Sequence, residues 1–211
     1  MKKEKLIENL RKNKFSENIV KAFEKVPREK FVPKHWEEHA YEDTALSIGE
    51  GQTISQPYTI AFMLSLLELD KLEEKSSVLE VGSGSGYVLA LLRELTKGEV
   101  YGIERIKALF KRSKDTLKNE NIKIFCKDGT KGLKKFSPYD RILVSASGKE
   151  IPKALIEQLK IGGIIVIPIG SSIFQIKKTT SGFIKREFSG FVFVPLITGN
   201  DKEQKNKFIL I

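Results

Sequence analysis

Three acidic residues and one glycine-rich run carry the chemistry most directly. The stretch VLEVGSGSGY, residues 78–87, places Glu80 just ahead of glycines at 82, 84 and 86, with Ser83 and Ser85 between them. It joins a β-rich run to a helical pattern. A turn of that kind brings backbone N–H groups close to a ligand at a helix N-terminus. The spacing narrows the ligand. A dinucleotide fingerprint, G-x-G-x-x-G, needs a glycine at 87, where Tyr87 stands. Glu104 ends the next β-rich run, 22 residues after Gly82, where a carboxylate can accept hydrogen bonds from both hydroxyls of a ribose. Asp128, followed by Gly129, ends the third and can meet an adenine amino group. Glu80 falls where the amino acid end of a ligand would lie. Three acids at three consecutive strand ends line one crevice; they repel a pyrophosphate but suit a sulfonium that carries an α-amino group. The bland alternative is a set of solvent-exposed acids in an α/β domain that binds no cofactor.

A second stretch, GEGQTISQPYT at 49–59, is small, polar and glycine-flanked just before the apolar pattern TIAFMLSLLEL. A helix cap would account for Ser55 or Thr59, but not for Gln52, Thr53, Ser55 and Gln56 together.

The elements that must position these residues follow from periodicity. Leu6, Ile7 and Leu10, then Ile19, Val20, Phe23 and Val26 after a Ser16 cap, predict helical segments within 4–26, ended by Pro27. From about residue 75, SSVLEVG, EVYGIE, IKIFC, DRILVSA and GIIVIPIG read as strands. Between them GYVLALLREL, RIKALFKRSKDTLKN and PKALIEQLK read as helices, the last stopped by Gly162-Gly163. This alternation predicts right-handed βαβ units and a parallel sheet covered on both faces. IFQIKKTTSGFIKREF, turning at Ser181-Gly182, and FVFVPLI predict antiparallel strands that close the sheet. The fold class is therefore α/β, doubly wound and mostly parallel.

Composition sets the outer bounds. A chain of 211 residues, 40% hydrophobic, can bury one sizeable core with an extension. It has no transmembrane run and no apolar signal core behind the basic MKKEKLIENLRKNK start, so the sequence reads as soluble, with no membrane partner. A single cysteine, Cys126, excludes an internal disulfide and a cysteine-based metal cluster; a reducing, cytoplasmic setting fits. The net charge of +10 leaves two readings open: lysines on solvated helix faces, interleaved with acids, or a basic patch with a purpose. HWEEH at 35–39 formally fits the zinc-protease pattern H-x-x-E-H, but no third ligand is evident and no metal is expected.

The glycine turn with its acids resembles class I S-adenosylmethionine-dependent methyltransferases, with their Rossmann-like sheet. A narrower resemblance follows from VPREKFVP (26–33), AYEDTALSIGEGQTISQP (40–57), VLEVGSGSGY, DGT (128–130), PYDRILVSA (138–146) and IPKALIEQLKIGGIIVIPIG (151–170). These are similar, in order, to the signatures of the protein-L-isoaspartate O-methyltransferase family.

That resemblance implies methyl transfer to the α-carboxylate of L-isoaspartyl residues in aged proteins and peptides, with S-adenosyl-L-homocysteine as product and repair through a succinimide. It implies that Ser55 is the active-site serine, on a loop that folds over the cofactor with Thr53 and Ile54. It implies cofactor contacts from Thr53, Ile54, Ser55, Glu80, Gly82, Ser83, Gly84, Ser85, Gly86, Glu104, Asp128 and Gly129. FVFVPLI is similar to the family's strand beside the peptide site, where backbone pairing with the substrate is expected.

The corresponding organisation is an N-terminal helical extension with the active-site loop at 1–74, a methyltransferase core at 75–200 and a tail at 201–211, acting as a monomer. The chain departs from the family at Tyr58, Thr59 and Ile60, where histidines often follow the proline, at ALSIG, which lacks a proline, and at SGKEIP, which carries Lys149. These departures bear on peptide preference more than on cofactor binding. Lys149 either attracts the anionic substrate or is simply solvated. Two other functions stay open. A cofactor-binding adaptor without turnover is permitted by residues 58–60. A nucleic-acid methyltransferase is suggested by the charge but lacks, in SASGKE, the Asn/Asp-Pro-Pro-Tyr-like stretch that holds a flipped base.

Overall fold

The structure is a computed structural model that describes residues 2–196; the tail at 201–211, the end of the expected core and the last residue of FVFVPLI lie outside the described residues. Apolar stripes build the first two helices, α1 (Lys3–Lys12) around Leu6, Ile7 and Leu10, and α2 (Glu17–Lys25) around Ile19, Val20 and Phe23. The Ser16 hydroxyl accepts a hydrogen bond from the Ile19 N–H and caps α2 as the spacing predicts. Two short 3-10 turns, Arg28–Phe31 and Lys34–His39, then lead to a β-hairpin.

The hairpin pairs β1 (Leu46–Gly49) with β2 (Gln52–Ile54), Leu46 opposite Ile54 and Ser47 opposite Thr53. Its turn holds Gly49, Glu50 and Gly51 at φ of 85°, 56° and 67°. The QTIS segment is thus mostly a strand and not the loop expected from resemblance, because ALSIG supplies a partner of matching length. Helix α3 (Pro57–Leu66) begins directly after it, with proline in the first turn.

The remaining elements are β3 (Ser77–Val81), α4 (Tyr87–Leu95), β4 (Glu99–Glu104), α5 (Lys107–Thr116), β5 (Ile122–Cys126), β6 (Tyr139–Val144), α6 (Lys153–Glu157), β7 (Leu159–Ile169), β8 (Ser172–Thr179) and β9 (Gly182–Ser189). Among the described residues these strands make one seven-stranded sheet in the order β5-β4-β3-β6-β7-β8-β9. The first five neighbours are parallel; β8 and β9 close the edge antiparallel.

Strand alternation sorts the core. Val78 and Leu143 face the layer that contains α1 to α5, whereas Leu79, Val81, Ile142 and Val144 face a second apolar cluster with Leu155 and Leu159. Glu80 has the parity of Val78, so its carboxyl points toward the N-terminal layer.

Two expectations are corrected. Helix α6 stops at Glu157, before the glycine pair, and β7 runs through Gly162-Gly163. Gly162 takes φ of 81°, a Cβ on Gly163 would lie 2.8 Å from the Lys160 carbonyl oxygen, and the pairing with β6 shifts register there. The glycines permit a bulge instead of ending a helix. FVFVPLI is not a regular strand within the described residues. Gly190, at φ of 95°, turns the chain away from β9, and only an isolated parallel bridge joins Pro195 to Ser147. What holds the segment is a few main-chain bonds, Ser147 N–H to the Val194 carbonyl at 2.8 Å, Leu196 N–H to the Ser147 carbonyl at 2.6 Å and Phe191 N–H to the Ser171 carbonyl at 3.0 Å, together with aromatic packing of Phe191 stacked 5.2 Å from Phe62.

Candidate active site

The sheet order changes direction between β3 and β6: β4 lies on one side of β3 and β6 on the other. The crevice beyond the carboxyl ends of those strands is where open α/β sheets bind ligands. Two adjoining clefts, of about 460 and 620 Å³, lie there and share Thr53, Gly82, Gly84 and Ser145.

The glycine turn is stapled to the sheet. The N–H groups of Gly82 and Ser83 both donate to the Ile103 carbonyl, at 2.9 and 3.0 Å. Gly86 precedes α4 at φ of 88°, and a Cβ there would come within 2.7 Å of Leu117 Cδ1 and 3.1 Å of Ser113 Cβ. Gly86→Ala is therefore expected to cost about 1–3 kcal/mol through left-handed strain and overpacking. Urea unfolding of both proteins checks this, and an unchanged midpoint would contradict it.

Glu104 is locked by backbone donors, among them Gly84 N–H to Oε2 at 2.8 Å and Ile106 N–H to Oε1 at 2.7 Å. Burial raises its pKa while these bonds pull it down. It stands in the second cleft beside Ile48, Ile103 and Ile106, a slot flat and apolar enough for a base with a carboxylate at its edge. Gly129 forms part of that wall. A Cβ there would lie 2.4 Å from Val81 Cγ1, so only glycine lets the backbone come this close. Asp128 is not in the wall. Its Oδ1 accepts from the Thr130 N–H and hydroxyl and shapes the turn that delivers Gly129. The three acids thus split: Glu80 and Glu104 face adjoining clefts, and Asp128 supports the rim.

Glu80 lines the first cleft with Ser83, Ser85 and Ser145, and all but Ser145 are buried. The Ser145 hydroxyl donates to Oε1 at 2.7 Å, while Oε2 and the Ser83 hydroxyl, both buried, have no hydrogen-bond partner among the described residues. Orphaned buried polar atoms of this kind are rare and call for a polar ligand group. An acceptor and a hydroxyl side by side suit the α-ammonium and carboxylate of S-adenosylmethionine, so the residues present fit the cofactor expected from the sequence.

Desolvation pushes the Glu80 pKa up to about 8, with the Glu104 charge adding to it and Ser145 opposing. Because the folded value is raised above the unfolded one, burial of Glu80 is tolerated fully at acid pH and costs stability as pH climbs toward 8. The ligand-free protein is expected to lose stability relative to Glu80→Gln between about pH 5 and 8. Paired thermal melts check this, and parallel pH dependences would contradict it.

The hairpin roofs the first cleft. Ile54 is buried, Thr53 is exposed on the outer side yet lines both clefts, and Ser55 is half-buried at the exit of β2. Gln56, not Ser55, is the cap residue of α3, and the Tyr58 amide is taken instead by the Asp43 carboxylate at 2.8 Å. The capping alternative for Ser55 falls, and the residue lines the first cleft. Arg112 of α5 donates to the Ile48 carbonyl and pins the hairpin down from the far side.

HWEEH forms a 3-10 turn in which the Trp36 ring packs near both histidines, and the His39 Nδ1 meets Glu42 at 2.8 Å. No group of three metal-capable side chains occurs among the described residues. Lys149 is exposed. Across the surface basic residues pair with acids, as in Arg11 with Glu17 and Glu24, Lys25 with Glu94, and Lys160 with Asp140. Interleaved charge of this kind is what solvated faces carry.

Sequence reasoning missed Ser145 and Arg28. Ser145 directly follows β6 at the switch point, a position that strand order alone would have flagged. Arg28 left no signal, because a basic residue after Pro27 in a lysine-rich chain reads as solvated.

Comparison with known proteins agrees with this geometry. The profile of the family described as protein-L-isoaspartate(D-aspartate) O-methyltransferase matches residues 1–201. The protein-L-isoaspartate O-methyltransferase of Petrotoga mobilis is 50% identical over 190 residues, covering 86% of this chain and 87% of the relative. That of Ignicoccus hospitalis is 43% identical over 208 residues, covering 93% and 97%. Among solved structures, a protein-L-isoaspartate O-methyltransferase from Plasmodium falciparum in complex with S-adenosyl-L-homocysteine superimposes with a TM-score of 0.82 at 28% identity, covering 92% of this chain and 97% of that one.

Proposed function

The chain belongs to the protein-L-isoaspartate(D-aspartate) O-methyltransferase family, and we propose that the two clefts at its switch point carry out that family's reaction with Ser55 as the active-site serine. The activity is methyl transfer from S-adenosylmethionine to the α-carboxylate of L-isoaspartyl residues in proteins and peptides. The observation that carries the assignment of residues is the meeting of the Thr53–Ser55 strand end with Glu80 and Ser83 in one cleft, next to the locked Glu104.

S-adenosylmethionine, when bound, supplies a methyl group activated by the positive sulfonium. Glu80, Ser83 and the turn Gly82 to Gly86 hold the methionine end, with Ser85 lining the same wall. Glu104 holds the ribose hydroxyls, and Gly129, shaped by Asp128, borders the adenine. Binding an ammonium against Glu80 favours its ionised form, so loading the cleft near pH 7 releases a proton.

The substrate carboxylate is already ionised at neutral pH and needs no strong base. Thr53 and Ser55 orient it by hydrogen bonds, and buried Ile54 keeps water from the transfer line. The segment of exposed Pro195 and half-buried Leu196 lines the second cleft, where an extended peptide could run. The backbone amide nitrogen of the following residue then displaces methanol from the ester to form a succinimide, which water reopens to the normal or the isoaspartyl linkage. The pairing of surface basic residues with acids among the described residues favours protein over nucleic acid as acceptor. We read the enzyme as a monomer of the cytoplasm, in keeping with one exposed cysteine and no need of a disulfide. No helix among the described residues is long and apolar enough to cross a membrane.

The chemical nature of the product tests the assignment. Label transferred from S-adenosylmethionine should leave as volatile methanol in mild base, as a carboxyl methyl ester does. A base-stable methyl group would place the acceptor on nitrogen and overturn the reading.

A further inference from the structure

Arg28 is fully buried, and its hydrogen bonds go to main-chain carbonyls: Nε donates to Ala40 at 2.8 Å and Nη2 to Ser55 at 2.9 Å. The third nitrogen, Nη1, has no hydrogen-bond partner among the described residues, and the guanidinium lies 5.0 Å from the centre of the Tyr87 ring. Taking a guanidinium out of water without a bidentate carboxylate is expensive. Asp43 supplies the nearby countercharge, but its own hydrogen bond goes to the Tyr58 N–H. A core built for stability alone would place an apolar side chain here.

Both acceptors lie in segments that border the site. The cation grips the carbonyl of Ser55 itself, lies against the Tyr87 ring in the wall of the same cleft, and feels the charge of the Asp43 carboxylate, which fixes the helix start three residues later. Ser55 to Tyr58 is therefore held at both ends by charged groups from the segment before the hairpin.

We propose that Arg28 is a positioning residue for the methyl transfer: together with Asp43 it turns the Ser55 carbonyl away from the cleft, so that the Ser55 hydroxyl points at the substrate carboxylate. The proposal rests on the role assigned to Ser55. Arg28 touches neither substrate nor cofactor. Lysine cannot replace it, since an ammonium lacks the planar fork that reaches two carbonyls at fixed angles.

The test is a double-mutant cycle on the full chain with Arg28→Lys, Arg28→Gln and Ser55→Ala, read as kcat and KM on an isoaspartyl peptide, with S-adenosyl-L-homocysteine affinity and melting temperature alongside. Arg28→Lys is expected to lower kcat about 10- to 100-fold, since small misplacements at a transfer site cost that much. Cofactor-product affinity should stay within about threefold, as Glu104 and the glycine turn are untouched. In the Ser55→Ala background the same change should cost less than about twofold, because a residue acting through the serine hydroxyl has nothing left to position. Equal losses in both backgrounds, an unchanged kcat in Arg28→Lys, or unfolding of both Arg28 variants at the assay temperature would each overturn the proposal. If Ser55→Ala itself leaves turnover intact, the assignment of Ser55 falls, and the proposal falls with it.

Discussion

Replacing Ser55 by alanine is expected to lower kcat about 100-fold, the scale on which a single preorganised donor acts, while S-adenosyl-L-homocysteine affinity stays within about twofold. The reason is positional. Ser55 is half-buried at the exit of β2, gives its carbonyl to Arg28 and makes no cap for α3, so its hydroxyl is available to the cleft. A donor that orients the carboxylate acts chiefly as the transfer line forms, which is a transition-state effect. In the proposed assignment the cofactor is gripped elsewhere, by Glu104 and the glycine turn. Steady-state kinetics with calorimetric binding check this, and a matched loss of affinity would contradict it, because it would make Ser55 a binding residue.

Glu104→Ala should behave in the opposite way, weakening S-adenosyl-L-homocysteine binding about 100-fold or more with kcat at saturation nearly unchanged. Two hydrogen bonds from ribose hydroxyls to an ion are worth about 1.5–3 kcal/mol each. The loss has a second source in this chain. The carboxylate already accepts from Gly84 N–H and Ile106 N–H, so removing it frees the middle of the glycine turn and leaves a donor without its partner. Glu104→Gln is also expected to bind poorly, since its amide nitrogen faces one of those two N–H donors. A kcat that falls as far as the affinity would contradict a uniform binding role.

The pattern of success in reading the sequence has physical causes. Parallel strands buried on both faces leave long Val/Ile/Leu runs, and glycine punctuates the turns, so β3 to β7 and the helices between them were legible. That Glu80, Glu104 and the glycine turn line adjoining clefts was legible because strand ends at a switch point face one crevice. Where the reading slipped, a glycine or proline was compatible with two outcomes. Gly162-Gly163 can end a helix or bulge a strand, and the pairing of Leu159 with Tyr139 decided for the bulge. FVFVPLI has strand propensity, yet after the turn at Gly190 it keeps only an isolated bridge to Ser147 and the packing of Phe191 on Phe62. Asp128 reads as a ligand from its position, and Thr130, two residues on, gives its Oδ1 a local donor pair as well, a turn-shaping role that position alone does not show. Arg28 was invisible because burial of a charge depends on which carbonyls the fold brings to it, and Ala40 and Ser55 are far from it in sequence.

The most direct test of the whole account compares two peptides identical except for one linkage, isoaspartyl in the first and normal aspartyl in the second, each incubated with the full chain and methyl-labelled S-adenosylmethionine. Label should enter the isoaspartyl peptide alone. Equal labelling of both peptides, or labelling of neither while S-adenosyl-L-homocysteine still binds, would contradict the assignment of this cleft to isoaspartyl carboxyl methylation.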